Sequence, residues 1–260
     1  MKNNPIGVFD SGVGGLSIWK EIISLLPNEN TIYLADSKNA PYGQKSKHEI
    51  IALSKKNTEF LLNKGAKIIV VACNTATTNA IDYLRKNYNV PFIGIEPAIK
   101  PAALQSKTNK IGILATKGTL NSQLFTDKVL RFGNTEIVEQ IGEGLVPLIE
   151  AGQLESKELD LLLQKYLDNL LQKNIDHLVL GCSHYPFLVP KIKIIIGNKI
   201  KIIDSGEAVA RQTKHILQKN DLLNLRKTTP NHLLYSNKNV SLLKNFIPDL
   251  PNITLKEKDF

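Results

Sequence analysis

Val70-Val71-Ala72-Cys73-Asn74-Thr75-Ala76-Thr77 joins an apolar run to a cluster of small polar residues through a cysteine. Residues 67–72 form an apolar run of strand length, which reads as a buried strand. It stops at a cysteine, small polar residues follow, and a helical pattern starts near Asn79. Cys73 therefore falls at the carboxyl end of an expected parallel strand, where open α/β sheets place their ligands. The pattern recurs at residues 176–181, which read as a strand and lead into Cys182-Ser183-His184. The chain has only two cysteines, and both close an apolar strand in the same way.

Working outward, residues 6–9 read as a strand, Asp10-Ser11-Gly12-Val13-Gly14-Gly15 as a turn, and 16–26 as an amphipathic helix stopped by Pro27. A strand at 31–35 opens into a polar segment at 36–44 that contains Pro41, Tyr42 and Gly43. A helix at 49–63, the Cys73 unit and a strand at 92–95 complete this series. After Glu96-Pro97 the alternation starts again. It has a strand at 110–115, a turn at Thr116 to Thr119, a helix at 120–131, a strand at 136–140, a helical segment holding Glu150, and a helix at 156–172. The Cys182 strand, a strand at 199–203 and a helix at 207–218 follow. Strands alternating with helices predict doubly wound parallel sheets. Two such series, each with one cysteine after a central strand, predict a pseudo-symmetric pair of α/β domains facing each other. The tail from 222 to 260 is less regular, with an edge strand expected at 232–236 and a helical turn at 242–246.

The chain has 260 residues, 42% apolar and 22% charged, enough for a globular core. No apolar run reaches the ~18 residues of a membrane span, and the first eight residues lack a signal-peptide pattern, so a cytoplasmic protein is expected. The formal charge is +9, but the lysines are dispersed and the arginines, Arg85, Arg131, Arg211 and Arg226, do not cluster. A dispersed excess is not a stripe, so neither a membrane nor a nucleic acid is an expected partner.

Four readings compete for the cysteines. Two small buried hydrophobes are the plain alternative. A disulfide is disfavoured by the compartment. Zinc needs about four ligands, and only Cys182-x-His184 has partly suitable spacing. The fourth reading is a pair of thiols acting as base and acid. Inverting an amino-acid α-carbon needs a base on one face and an acid on the other, and a thiol of pKa about 8.5 can be tuned to either state. Each thiol then needs a polar neighbour to hold its proton. Asp10, equally suited to cap a helix, serves the first half; His184 and Glu150 serve the second. The glycine turn permits a phosphate reading, but Gly12, Gly14 and Gly15 do not fit the G-x-G-x-x-G spacing. No cofactor or metal motif is evident.

In order along the chain, Gly7 to Leu16, Ala35-Asp36 with Pro41-Tyr42-Gly43, Ala72 to Thr77, Gly94 to Ala98, Ala115-Thr116 with Thr119, Val146 to Glu150 and Leu180 to Pro186 resemble the glutamate racemase family. That family lies within the aspartate/glutamate racemase superfamily. The resemblance implies two flavodoxin-like domains, 1–96 plus 207–260 and 97–206, with the active site in the cleft between them. It implies cofactor-free interconversion of L- and D-glutamate for peptidoglycan, and a homodimer. By the same resemblance Cys73 takes the α-proton of D-glutamate and Cys182 that of L-glutamate. Asp10 assists Cys73, and His184 with Glu150 assist Cys182. Asp10, Ser11, Pro41, Tyr42, Gly43, Asn74, Thr75, Thr116, Thr119, Ser183 and His184 match substrate-holding positions. Ser183 stands where the family usually has threonine, which keeps the hydroxyl and drops a methyl. Aspartate and hydantoin racemases would use the same machinery on other substrates.

Overall fold

Both apolar runs that end in cysteine are interior strands of parallel sheets. The computed structural model describes residues 1–226 and 229–260. Its strands are β1 (Ile6–Asp10), β2 (Thr31–Ala35), β3 (Ile68–Val71), β4 (Phe92–Gly94), β5 (Lys110–Ala115), β6 (Glu136–Ile141), β7 (His177–Gly181), β8 (Lys201–Ile203), β9 (His232–Ser236) and β10 (Ile253–Glu257). The helices are α1 (Leu16–Leu25), α2 (Lys47–Asn63), α3 (Asn74–Asn87), α4 (Ile99–Gln105), α5 (Lys117–Leu120), α6 (Gln123–Val129), α7 (Leu145–Glu150), α8 (Lys157–Leu171), α9 (Val189–Ile196) and α10 (Gly206–Lys219). One sheet has six strands in the order β10-β9-β2-β1-β3-β4, the other four in the order β6-β5-β7-β8. Every pairing is parallel. These are two α/β domains with parallel sheets.

Parallel sheets are covered on both faces, and their strands are apolar on both sides. Val8 and Val70 belong to one apolar cluster and their neighbours Phe9 and Val71 to another. In the second sheet Leu178 and Leu180 join the first of these clusters while Val179 packs on the far side. One core therefore runs from sheet to sheet and fixes their strand ends toward each other.

Several elements differ from the sequence reading, among them α5, which forms where a turn was expected, and β10, which was not expected at all. Helix α3 begins at Asn74, directly after the cysteine, not near Asn79. Asn and Thr are poor helix formers, but Cys73 Sγ accepts the Ala76 N–H at 3.4 Å and caps the turn. The helix expected over 120–131 is broken in two, because Ser122 caps a new start by accepting the Phe125 N–H. β9 is not an edge strand: it lies between β2 and β10. The tail is also fastened at the opposite end of the sheet. There the buried Lys67 ammonium bonds Glu29 at 2.5 Å and the Leu222 carbonyl at 2.9 Å, and Glu29 accepts the Asn224 N–H.

Candidate active site

Parallel strands bring their carboxyl ends to one edge of each sheet, and the two edges meet. Cys73 follows β3 and Cys182 follows β7; both side chains are almost fully buried. The two sulfurs border one cavity. Ser11, Asn74 and Thr75 line it from the first sheet, and Thr116, Ser183 and His184 from the second. Pro41, Tyr42, Gly43 and Val146 form its walls. Its volume is about 10 Å³, near what a single water needs.

The closure has identifiable bonds. Thr75 Oγ1 lies 2.8 Å from Thr116 Oγ1 and 3.3 Å from Thr119 Oγ1, so three hydroxyls meet across the cleft. Ser183 Oγ donates to Asp10 Oδ2 at 2.9 Å, and Ser17 Oγ donates to the Ser183 carbonyl at 2.9 Å. Glu150, at the end of α7, accepts the Val13 N–H at 2.6 Å and the Ser37 hydroxyl at 2.9 Å, and pairs with His184 Nε2 at 2.6 Å. The glycine turn exists for this meeting. A Cβ on Gly12 would run into the Glu150 carboxylate, and one on Gly14 into the His184 ring. The glycines permit close approach, here to side chains of the other domain rather than to a phosphate.

Each sulfur has a different electrostatic setting. Cys73 Sγ lies 3.7 Å from Ser11 Oγ. Burial, and then the Asp10 charge, push its thiol well above the ordinary thiol value, against hydrogen bonds with Ala76 N–H and Ser11. Asp10 is itself raised, chiefly by burial and secondarily by Glu150, while His184, Ser183 and the Gly12 N–H pull it down. Cys182 Sγ lies 3.7 Å from His184 Nδ1. Burial opposes a charge on His184, but its bonds to Cys182 and Glu150 and the Asp10 carboxylate outweigh that and raise it well above the usual imidazole value. These contacts favour the protonated imidazole.

The residues singled out from sequence fall in three groups. Cys73, Cys182, Ser11, Asn74, Thr75, Thr116, Ser183 and His184 border the cavity, with Pro41 and Gly43 in its wall. Both polar atoms of the Asn74 side chain are buried without a hydrogen-bond partner, a costly state unless something else meets them. Asp10, Thr119 and Glu150 stand behind the lining; Glu150 faces a neighbouring cavity of about 340 Å³. Tyr42 is in the wall, but its hydroxyl is donated to Asp36. Sequence reading missed Ser37, Ser17 and the Val13 N–H, which hold Glu150 and Ser183 in place. Their partners lie 113 to 166 positions away, and no local pattern encodes that. Among the described residues no group of three His, Cys, Asp or Glu side chains is placed to hold a metal. No helix there is long and apolar enough to cross a membrane.

Residues 6–213 match the family model described as Asp/Glu/Hydantoin racemase. The chain is 48% identical over 225 residues to a glutamate racemase of Herpetosiphon aurantiacus, covering 86% of this chain and 89% of that one. To a glutamate racemase of Cupriavidus pinatubonensis it is 43% identical over 250 residues, 96% of this chain and 92% of the other. A crystal structure of the Francisella tularensis glutamate racemase in complex with D-glutamate superposes with a TM-score of 0.84 at 31% identity, covering 98% of each chain. The chain belongs to the glutamate racemases within the Asp/Glu/hydantoin racemase family.

Proposed function

We propose that the protein interconverts L- and D-glutamate without a cofactor, by passing protons between two thiols and the α-carbon, and so supplies D-glutamate for peptidoglycan. The observation that carries this reading is that Cys73 and Cys182, each closing a strand of a different sheet, border one cavity. In one direction the Cys182 sulfur takes the α-proton of L-glutamate. The C–H bond breaks, an S–H bond forms, and the electron pair left on Cα spreads into the α-carboxylate. Cys73 then gives its thiol proton to the opposite face of Cα. The reverse run exchanges the roles. A protonated His184 can donate Nδ1–H to Cys182 and Nε2–H to Glu150, so the pair holds the proton that Cys182 releases. Asp10, raised by burial, is suited to receive the proton of Cys73.

Glutamate brings two carboxylates and one ammonium. Hydroxyls of Ser11, Thr75, Thr116, Thr119 and Ser183 and the amide of Asn74 suit such a ligand without flooding the site with charge. The unpartnered Asn74 amide supports this role. The Pro41-Tyr42-Gly43 wall completes the site. The proposal divides the chain into domains 1–96 with 207–260 and 97–206; sheet membership supports the division, since β1 to β4, β9 and β10 form one sheet and β5 to β8 the other. It also includes a cytoplasmic location and a homodimer. The test is turnover by purified protein of glutamate, aspartate and hydantoins. Glutamate alone should racemise, and preference for either of the others would overturn the assignment.

A further inference from the structure

The tail beyond residue 213 lies outside the family match, yet one of its turns reaches the substrate cleft. β9 is parallel to β2, with Ser236 beside Ala35, so the chain leaves both strands at the same sheet edge. Asn237 follows β9 immediately. Its N–H donates to the Ala35 carbonyl at 3.4 Å. Its side chain does two things at once: Nδ2 donates to Asp36 Oδ1 at 2.5 Å, and Oδ1 accepts the Lys38 N–H at 2.9 Å. Asp36 is buried and gathers the loop around itself. Asn39 Nδ2 donates to it at 2.8 Å and the Tyr42 hydroxyl donates to its other oxygen. Asn57 donates to the same hydroxyl at 3.2 Å. Tyr42 lies between Pro41 and Gly43 in the wall of the two-cysteine cavity. The chain of contacts thus runs from tail to Asp36 to Tyr42 to the cleft. The same turn, through Lys238 and Asn239, also faces Ser37 and Pro41 across the outer cavity that reaches Glu150.

We propose that Asn237 is a positioning residue for substrate binding, holding the 36–44 loop against the cleft through Asp36 and Tyr42. It touches neither sulfur, so its effect falls on how tightly the loop closes over the ligand rather than on proton transfer. The proposal rests on the glutamate reading above. Replacing Asn237 by alanine leaves a buried carboxylate short of a donor and a backbone N–H short of an acceptor.

The test compares Asn237→Ala with Asn252→Ala, which removes a tail hydrogen bond to the Pro230 carbonyl remote from the loop. For Asn237→Ala, KM should rise about tenfold for both enantiomers while kcat stays within about twofold, and amide exchange across 37–45 should quicken. Asn252→Ala should leave KM and that exchange at wild-type values whatever it does to melting temperature. If Asn237→Ala does not fold, Asn237→Ser, polar but too short to bridge Asp36 and the Lys38 N–H, carries the same expectations. Unchanged KM and loop exchange in the Asn237 variant, or an equal rise in both variants, would overturn the proposal. A wild type unable to racemise glutamate would sink the glutamate reading, while loop exchange, which needs no substrate, would still decide whether Asn237 holds the loop.

Discussion

Glu150 stands outside the cavity between the sulfurs, yet the Val13 N–H, the Ser37 hydroxyl and His184 all bond to its carboxylate. It fixes the imidazole beside Cys182 and joins the two domains in doing so. Glu150→Gln keeps the shape and removes the charge that favours a protonated His184. We expect kcat to fall about 100-fold in both directions with little change in melting temperature; activity near wild type would remove Glu150 from the proton path. Cys73→Ala and Cys182→Ala should each abolish racemisation while circular dichroism stays native, and near-normal turnover by either would refute the two-thiol assignment. L- and D-glutamate have equal free energies, so kcat/KM must match in the two directions at every pH. The unequal settings of the two sulfurs can show only in how kcat and KM divide.

At the scale of elements, β9 carries a pH dependence of its own. His232 is buried against Trp19, edge to face at 5.6 Å, and its Nδ1 lies 2.9 Å from Thr31 Oγ1. Burial lowers its pKa from 6.5 to about 4. Above pH 6.5 the imidazole is neutral in folded and unfolded chains alike. Between 6.5 and about 4 only the unfolded chain takes the proton, so stability falls with pH across that window. Urea unfolding from pH 7.5 to 4.5 should show this loss, and His232→Gln should flatten it; an unaltered slope would contradict the assignment. The elements also show what a sequence displays. The strand before each cysteine was legible because a strand buried on both faces is a continuous apolar run. The start of α3 was not, since its first turn is rich in Asn and Thr and is held by a sulfur cap. Nor was β10, whose pairing with β9 crosses an irregular segment and whose residues are mostly exposed.

Over the whole molecule, the cysteines, Asp10 and His184 were legible as candidates because each sits at or next to a strand end. The closeness of Glu150 to Gly12, and of Asp10 to Ser183, was not, because those contacts exist only once two separately encoded domains dock. That docking leaves a cavity of about 10 Å³, too small for glutamate. We expect the bonds among Thr75, Thr116 and Thr119, which cross the cleft, to part as substrate enters. Amides at 75–79 and 116–122 should therefore exchange in the free protein through an open state and slow at least about tenfold with saturating glutamate; no change on binding would show that the cleft does not open. On the proposed mechanism the α-carbon exchanges protons with two different sulfurs, one on each face. The most direct test is early-time deuterium incorporation during racemisation of L-glutamate in D₂O. The D-glutamate formed should carry deuterium at Cα while the remaining L-glutamate stays protiated. Product that retains the original hydrogen, or deuterium entering both pools equally from the start, would contradict it.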